Sequence, residues 1–165
     1  MKKSYLFLII VMGFSLFAQA QISDNFAQEV NALICADIET IKGLKEEKSV
    51  TTAYQSTLPL NGFKVLLKES FGDYRVSCFY KGTGNMAVMD SIATTLSKLR
   101  NKYILIDSKE HRNLLELNKN GITVARRIIL VDITEKIKAE IELWAETNGT
   151  LSVTIYKYDR KLLKE

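Results

Sequence analysis

The chain has 165 residues, 47% of them hydrophobic and 25% charged, and a formal net charge of +4 at pH 7. This length is typical of a single domain, and the apolar content is high enough to build a core, which argues against intrinsic disorder. The basic residues of 42–48 and 157–164 are interleaved with acidic ones, so the charge pattern argues against a nucleic-acid-binding protein.

The first twenty residues have the pattern of a signal peptide. Two lysines near the start precede an apolar run over 6–17, and Ala18-Gln19-Ala20 supplies the small-x-small pattern that a signal peptidase recognises. We therefore expect residues 1–20 to be cleaved, and residues 21–165 to form one exported domain, periplasmic or extracellular. The run is shorter than the ~20 apolar residues of a spanning helix, so no transmembrane segment is expected in the mature chain.

Residues 24–42 are predicted to form an amphipathic helix. Ser23, Asp24 or Asn25 can cap its start, and Gly43 provides a left-handed stop at its end. The polar stretch over 44–52 is expected to be a surface connection. The apolar positions of the helix follow helical spacing: Phe26, Val30, Leu33, Ile34, Ile38 and Ile41.

Residues 54–80 are predicted to form a three-stranded meander. The first turn is expected at Asn61-Gly62, because both residue types tolerate a positive φ, and Pro59 places the strand before it at a sheet edge. A second connection is expected over 70–73. The apolar pairs that should face each other are Leu60 with Phe63, Leu58 with Val65, Val65 with Cys78, and Leu67 with Val76.

A second helix is predicted to follow Asn85, its N-cap. A short strand is expected at 103–107, and 108–119 is compatible with either a helix or a strand leading into an Asn-Gly turn. Residues 128–131 are apolar at every position, which predicts a central strand covered on both faces. The apolar positions of the second helix repeat at three- and four-residue steps: Met86, Met89, Ile92, Ala93, Leu96 and Leu99.

The last hairpin can be placed by its side-chain faces. A three-residue loop over 147–149, with Gly149 left-handed, pairs apolar residues across the strands, whereas a two-residue turn would set glutamates against them. The predicted pairs are Ile141 with Ile155, Leu143 with Val153, and Ala145 with Leu151. Together these elements predict an α+β domain with one mostly antiparallel sheet of about six or seven strands and two main amphipathic helices.

Cys35 and Cys78 are the only cysteines of the sequence. An oxidising compartment would allow a disulfide between them. Cys35, however, lies off the centre of the apolar stripe of the first helix, while Cys78 shares a strand face with Val76 and Tyr80. A disulfide needs the two Cα atoms of the cysteines within about 7 Å of each other. The helix flank that carries Cys35 would therefore have to lie close over the strand that carries Cys78. The alternatives are two free thiols or an intermolecular bond through Cys35.

Few side chains match a catalytic or metal-binding pattern. His111 is the single histidine, which excludes a zinc site built from several histidines, and it lies in a charged stretch typical of a surface. The loop of Gly82, Thr83, Gly84 and Asn85 is a weak candidate for binding an anion through backbone N–H groups; the alternative is a plain strand-to-helix connection. No metal and no cofactor are expected.

The outward face of the last hairpin is the main surface feature of the sequence. It carries Trp144, Tyr156 and Tyr158 beside Glu140 and Glu142, and aromatic side chains with polar tips are enriched where surfaces bind partners. The alternative is that a helix covers this face. The sequence favours a non-catalytic binding module that uses this face or a hairpin tip, with a protein, a glycan or an envelope component as its partner.

Two other functions stay open. A carrier would enclose a small apolar ligand between sheet and helices, in a pocket lined by residues such as Phe63, Ile92 and Ile129. A small hydrolase would use Glu140, Glu142 and Glu146, whose side chains share one strand face at a spacing of roughly 7 Å.

Overall fold

The computed structural model describes residues 22–47, 51–84, 86–110, 122–146 and 148–161. Helix α1 spans Phe26–Cys35, α2 spans Ile38–Ile41 and α3 spans Met86–Leu96, and a 3-10 turn continues α3 over Ser97–Asn101. The strands are β1 (Lys42–Lys45), β2 (Ala53–Ser56), β3 (Phe63–Ser70), β4 (Asp73–Tyr80), β5 (Ile104–Glu110), β6 (Ile122–Val131), β7 (Lys136–Glu146) and β8 (Leu151–Lys161).

The strands of the described residues form one antiparallel sheet in the order β1-β2-β3-β4-β8-β7-β6-β5. The chain makes two meanders, β1 to β4 and β5 to β8, with α3 between them in the sequence. The last strand, β8, pairs with β4 and so joins the two meanders into one sheet. The α+β class, the antiparallel sheet and two substantial helices are confirmed, and the sheet has eight strands, close to the expected number.

Helices α1 and α3 pack on one face of the sheet and enclose the core. Fully burying a large apolar side chain contributes roughly 1.5–3 kcal/mol, so this layer is the main source of stability. The fully buried side chains include Phe26, Val30 and Leu33 of α1, Met89, Ile92 and Leu96 of α3, and Leu67, Val76, Leu130, Ile141, Leu143, Val153 and Ile155 of the sheet.

The first helix is shorter than predicted. Ala36 has an extended backbone with ψ 147°, and Asp37 begins the separate helix α2, because its carboxylate accepts a hydrogen bond from Thr40 N at 2.6 Å. Gly43 is not a left-handed stop. It lies in β1, where an added Cβ would come 2.6 Å from the carbonyl oxygen of Gln55. The glycine permits the close approach of β2 to β1.

Two of the three predicted registers are confirmed. The turn expected within 70–73 is present, although it is shorter than predicted, since Ser70 pairs with Asp73. Ala145 pairs with Leu151, as the three-residue loop of the last hairpin requires, and Gly149 has a φ of 86°. The confirmed pairs are Val65 with Cys78 and Leu67 with Val76 between β3 and β4, and Ile141 with Ile155, Leu143 with Val153 and Ala145 with Leu151 between β7 and β8.

The predicted hairpin pairing around Asn61-Gly62 is wrong. A turn is formed there, since Gly62 has a φ of 83°, but β2 ends at Ser56 and pairs with β3 in a different register. Pro59 has no N–H to donate to a strand ladder, so the strand does not extend to the turn.

The prediction that 128–131 forms a central strand covered on both faces is correct only in part: β6 is paired on both sides, but only one of its faces lies under the helices. β6 is next to the edge strand β5. Ile128 and Leu130 are buried beneath the helices, whereas Ile129 is half-buried on the opposite face, beside the exposed Ile106 of β5. Ile129 and Ile106 are cross-strand partners, so the outward side of this part of the sheet is apolar. The ambiguous stretch begins as part of β5, and residues 111–121, with His111, lie outside the described residues.

Candidate functional site

The side of the sheet opposite α1 and α3, here called the helix-free face, brings together residues from several strands. Neighbouring strands lie ~4.8 Å apart, so side chains at the same level of adjacent strands are in reach of one another. Three such levels cross β4, β8, β7 and β6: Arg75, Tyr156, Glu140 and Ile129; Ser77, Thr154, Glu142 and Arg127; and Phe79, Ser152 and Trp144.

Glu142 is the centre of a hydrogen-bonded cluster on this face. Trp144 Nε1 donates to Glu142 Oε2 at 3.3 Å, and Tyr156 OH donates to the same oxygen at 3.4 Å. All three side chains are half-buried. Burial raises the pKa of the Tyr156 hydroxyl, and the negative charge of Glu142 adds to this effect. The carboxylate of Glu142 therefore links two aromatic side chains on this face.

Aromatic rings flank a strip of small polar residues. Phe79 of β4 and Trp144 of β7 lie at the same level, with Ser152 of β8 between them. The backbones of β4 and β7 are two strand spacings apart, or about 10 Å. All three of these side chains are half-buried. The two rings thus stand on either side of a short side chain, which makes a shallow site with aromatic walls.

The carboxylates proposed for a hydrolase each have a different partner. Glu140, only 7% exposed, forms an ion pair with Arg127. Glu142 accepts from the two aromatic side chains, and Glu146 Oε2 accepts from Asn148 Nδ2 at 2.9 Å. A general acid and base need to converge on one substrate bond. These three carboxylates instead stabilise the sheet and its turn.

The predicted binding residues do lie together, with one exception. Trp144, Tyr156, Glu140 and Glu142 share the helix-free face, and no helix among the described residues packs on it. Tyr158 belongs to β8, but its side chain lies outside the described residues.

Both cysteines are free thiols. Cys78 is buried in the core, and this burial raises its pKa to about 12. Cys35 is exposed at the end of α1, with its Sγ 3.8 Å from the hydroxyl of Tyr103, which also donates to Asn31 Oδ1 at 3.1 Å. Burial and then the contact with Cys35 raise the pKa of Tyr103 to about 12. The candidate disulfide between Cys35 and Cys78 is not formed in this structure.

The loop of Gly82, Thr83 and Gly84 before α3 packs closely against neighbouring residues. Gly84 N donates to the carbonyl of Gly149 at 2.6 Å, so this N–H group is already used. A Cβ at Gly84 would lie 2.2 Å from Leu151 Cβ, and one at Gly82 would lie 2.9 Å from the ring of Tyr80. Thr83 contacts the same turn, and Asn85 lies outside the described residues. The loop geometry corresponds to the plain connection between strand and helix.

The residues named for a carrier pocket do not line one space. Phe63 and Ile92 are buried in the core beneath the helices, whereas Ile129 lies on the helix-free face. Two surface grooves lie among the described residues: one of about 290 Å³ between α1 and the 3-10 turn, and one of about 220 Å³ beside Pro59. Both are open and partly polar, so neither resembles an enclosed site for an apolar ligand.

The described part of the chain has no feature of a metal site or of a membrane-spanning helix. No cluster there contains three or more His, Cys, Asp or Glu side chains that could hold a metal ion. Within the same residues, none of the helices has the length and apolar character needed to cross a bilayer.

Comparisons with protein-family models, with curated proteins and with solved structures gave no match.

The sequence prediction of this face did not include its residues on β3 and β4, among them Lys68, Arg75 and Phe79. Arg75 and Phe79 alternate along β4 with the core residues Val76 and Cys78, so their outward direction was available from the strand pattern. Their position beside Tyr156 and Ser152 could not be predicted from the strand pattern. It depends on the pairing of β4 with β8, which no local turn specifies.

Proposed function

We propose that this protein is an exported, non-catalytic carbohydrate-binding module, and that the helix-free face around Trp144 binds the glycan. The observation that supports this proposal is the set of aromatic rings around short polar residues: Trp144 and Tyr156 are linked by Glu142, and Phe79 faces Trp144 across Ser152. Aromatic rings offer a large, rigid contact area at low entropic cost.

The chemistry of this face suits a sugar chain. The C–H face of a sugar ring is apolar and can pack on an aromatic ring, while its hydroxyl groups need hydrogen-bond partners. Glu142, Ser152 and Thr154 supply carboxylate and hydroxyl groups close to the rings.

A bound peptide strand would have different requirements. It would use the unpaired N–H and C=O groups of a sheet edge, and the interior strands β8 and β7 are paired on both sides. Their face therefore offers side chains only.

The test is binding of the purified protein to an array of oligosaccharides, followed by titration calorimetry with each positive sugar. Trp144→Ala should weaken binding about 10-fold or more, because it removes an aromatic wall of the site. The matched control is Phe71→Ala, which removes an aromatic ring that is fully exposed at the β3–β4 turn, away from the proposed site. Equal losses in the two variants, or no sugar bound at all, would contradict the proposal.

Export is part of the same proposal and rests on the leader pattern of residues 1–20. The intact mass of the protein isolated from the medium or the cell envelope of its natural source should correspond to a chain that begins at Gln21. A natural product that keeps Met1 or Lys2 would contradict export through a cleaved leader.

A further inference from the structure

Two basic side chains lie opposite each other on the helix-free face. Lys68 of β3 and Arg75 of β4 are direct cross-strand partners, and Arg75 lies at the same level as Tyr156 of β8. The Arg75 guanidinium is near enough to the Tyr156 hydroxyl to lower the pKa of Tyr156, against the larger effect of burial. Lys68 Nζ lies 5.1 Å from the centroid of the Phe79 ring. The two cations thus border the aromatic site.

This arrangement is unfavourable for the free protein. Like charges directly opposite each other in a sheet are destabilising, and neither Lys68 nor Arg75 forms an ion pair with a carboxylate of the described residues. Glu46 is the acidic group near Lys68, but it pairs with Lys64. Burial, and then the charge of Arg75, lower the pKa of Lys68.

We propose that Lys68 and Arg75 form a subsite for the negatively charged group of an acidic sugar, either the carboxylate of a uronic acid or a sulfate ester. This inference rests on the proposed function and adds the ligand class. An anion between the two side chains would compensate both charges, and Arg75 can make paired hydrogen bonds to it. Phe79 and Tyr156 would then contact the ring of the same sugar or of its neighbour.

The experiment compares three probes by titration calorimetry: a galacturonate hexamer, the same hexamer with its carboxylates methyl-esterified, and a sulfated galactan hexamer. We expect at least one acidic probe to bind ~10-fold or more tightly than the ester, which corresponds to ~1.4 kcal/mol. The gain should decrease as the salt concentration rises. The identity of the tighter probe distinguishes carboxylate from sulfate.

Lys68→Gln and Arg75→Gln should each remove most of this gain and leave binding of the ester nearly unchanged. The control is Lys98→Gln, which changes an exposed lysine on the 3-10 turn. Equal binding of acidic and esterified probes by the unaltered protein would overturn the subsite. An equal loss in Lys98→Gln would also overturn it, because the attraction would then be unspecific.

A second readout does not depend on the sugar. Removing one charge of an opposed pair relieves repulsion, so Lys68→Gln and Arg75→Gln should unfold at the same temperature as the unaltered protein or at a higher one. A clear decrease in Tm for both would mean that the cations stabilise the fold, and would overturn the inference. If the ester binds in a Trp144-dependent way but the acidic probes show no gain, only the subsite fails. If no sugar binds, the proposed function fails with it.

Discussion

Gly84 N donates a hydrogen bond to the carbonyl oxygen of Gly149 at 2.6 Å. This contact joins the loop before α3 to the turn of the β7–β8 hairpin, two segments that are far apart in the sequence. The backbone of Gly84 also lies against Leu151, so that no side chain fits between them. A glycine is needed at this position because of the close approach of two backbones and not because of a positive φ.

Replacement of Gly84 by alanine should therefore destabilise the protein. The new Cβ would lie 2.2 Å from Leu151 Cβ and 2.8 Å from Leu151 N, and such overpacking costs ~1–3 kcal/mol. Urea unfolding followed by circular dichroism measures the change. Gly72→Ala is the control: nothing lies within 4 Å of its Cβ, and only its positive φ opposes the alanine. A smaller loss for Gly84→Ala than for Gly72→Ala would show that the loop can move away.

Phe71 should be replaceable with a gain in stability. It has a φ of 52°, a left-handed conformation that phenylalanine rarely adopts, and its side chain is fully exposed. Phe71→Asn should increase the free energy of unfolding by ~0.5–1 kcal/mol, because Asn-Gly is the preferred sequence for such a hairpin turn. Phe71→Leu keeps the strain and should give no gain. An asparagine variant less stable than the unaltered protein would mean that the ring contributes contacts that the turn needs.

Asp132 should stabilise the β6–β7 turn at neutral pH and not in acid. Its Oδ1 accepts from Thr134 Oγ1 at 2.7 Å, Thr134 N at 2.8 Å and Lys136 N at 3.0 Å. The Thr134 hydroxyl and the Lys136 N–H contribute most to lowering the pKa of this carboxyl below its usual 3.8. A lowered pKa gives stability that is present above 3.8 and is lost as the pH falls through the folded-state value.

The variant Asp132→Ala should thus be less stable than the unaltered protein at pH 7, and the difference should shrink as the pH falls below 3.8. Urea unfolding at several pH values measures this trend. Glu47→Ala, at an exposed position outside this turn, is a control for the loss of one acidic side chain. A difference that stays constant with pH would show that Asp132 acts through packing and not through its charge.

The two thiols should differ in reactivity. Cys35 is exposed, while Cys78 is buried with a pKa raised to about 12, and the thiolate is the reactive form. In the folded protein an aromatic disulfide reagent should modify Cys35 alone, and Cys78 should react only after unfolding. Cys35→Ser should abolish the fast reaction. A protein that shows no thiol even in denaturant would instead contain the disulfide.

Much of the fold follows from local sequence patterns. The register of the β7–β8 hairpin could be predicted because only one loop length pairs apolar with apolar residues. The break between α1 and α2 was missed because the apolar spacing of residues 24–42 continues through it, while Asp37 prefers to cap a helix. The strand pairing around Asn61-Gly62 was predicted wrongly because Pro59, which has no N–H to donate, prevents the strand from reaching the turn.

The candidate site was only partly predictable. Trp144, Tyr156 and Glu142 lie on two strands of one hairpin, so their common face follows from the alternation of side chains. Lys68, Arg75 and Phe79 join them only through the pairing of β4 with β8, a contact between distant segments. Local patterns do not specify which strand edge receives the last strand, and the opposed charges of Lys68 and Arg75 would not by themselves suggest a neighbour.

The position of β8 also has a consequence for how the molecule assembles. Until β8 pairs with β4 and β7, each of these two strands has an unpaired edge, and no backbone hydrogen bonds join the two halves of the sheet. Chains truncated before residue 151 would therefore keep two unpaired strand edges, which can pair with strands of other copies. During synthesis the sheet can close only after β8 has been made, because β8 is the strand that joins β4 to β7. The sheet depends on this pairing between distant segments, so folding should be slow compared with that of helical proteins of similar size.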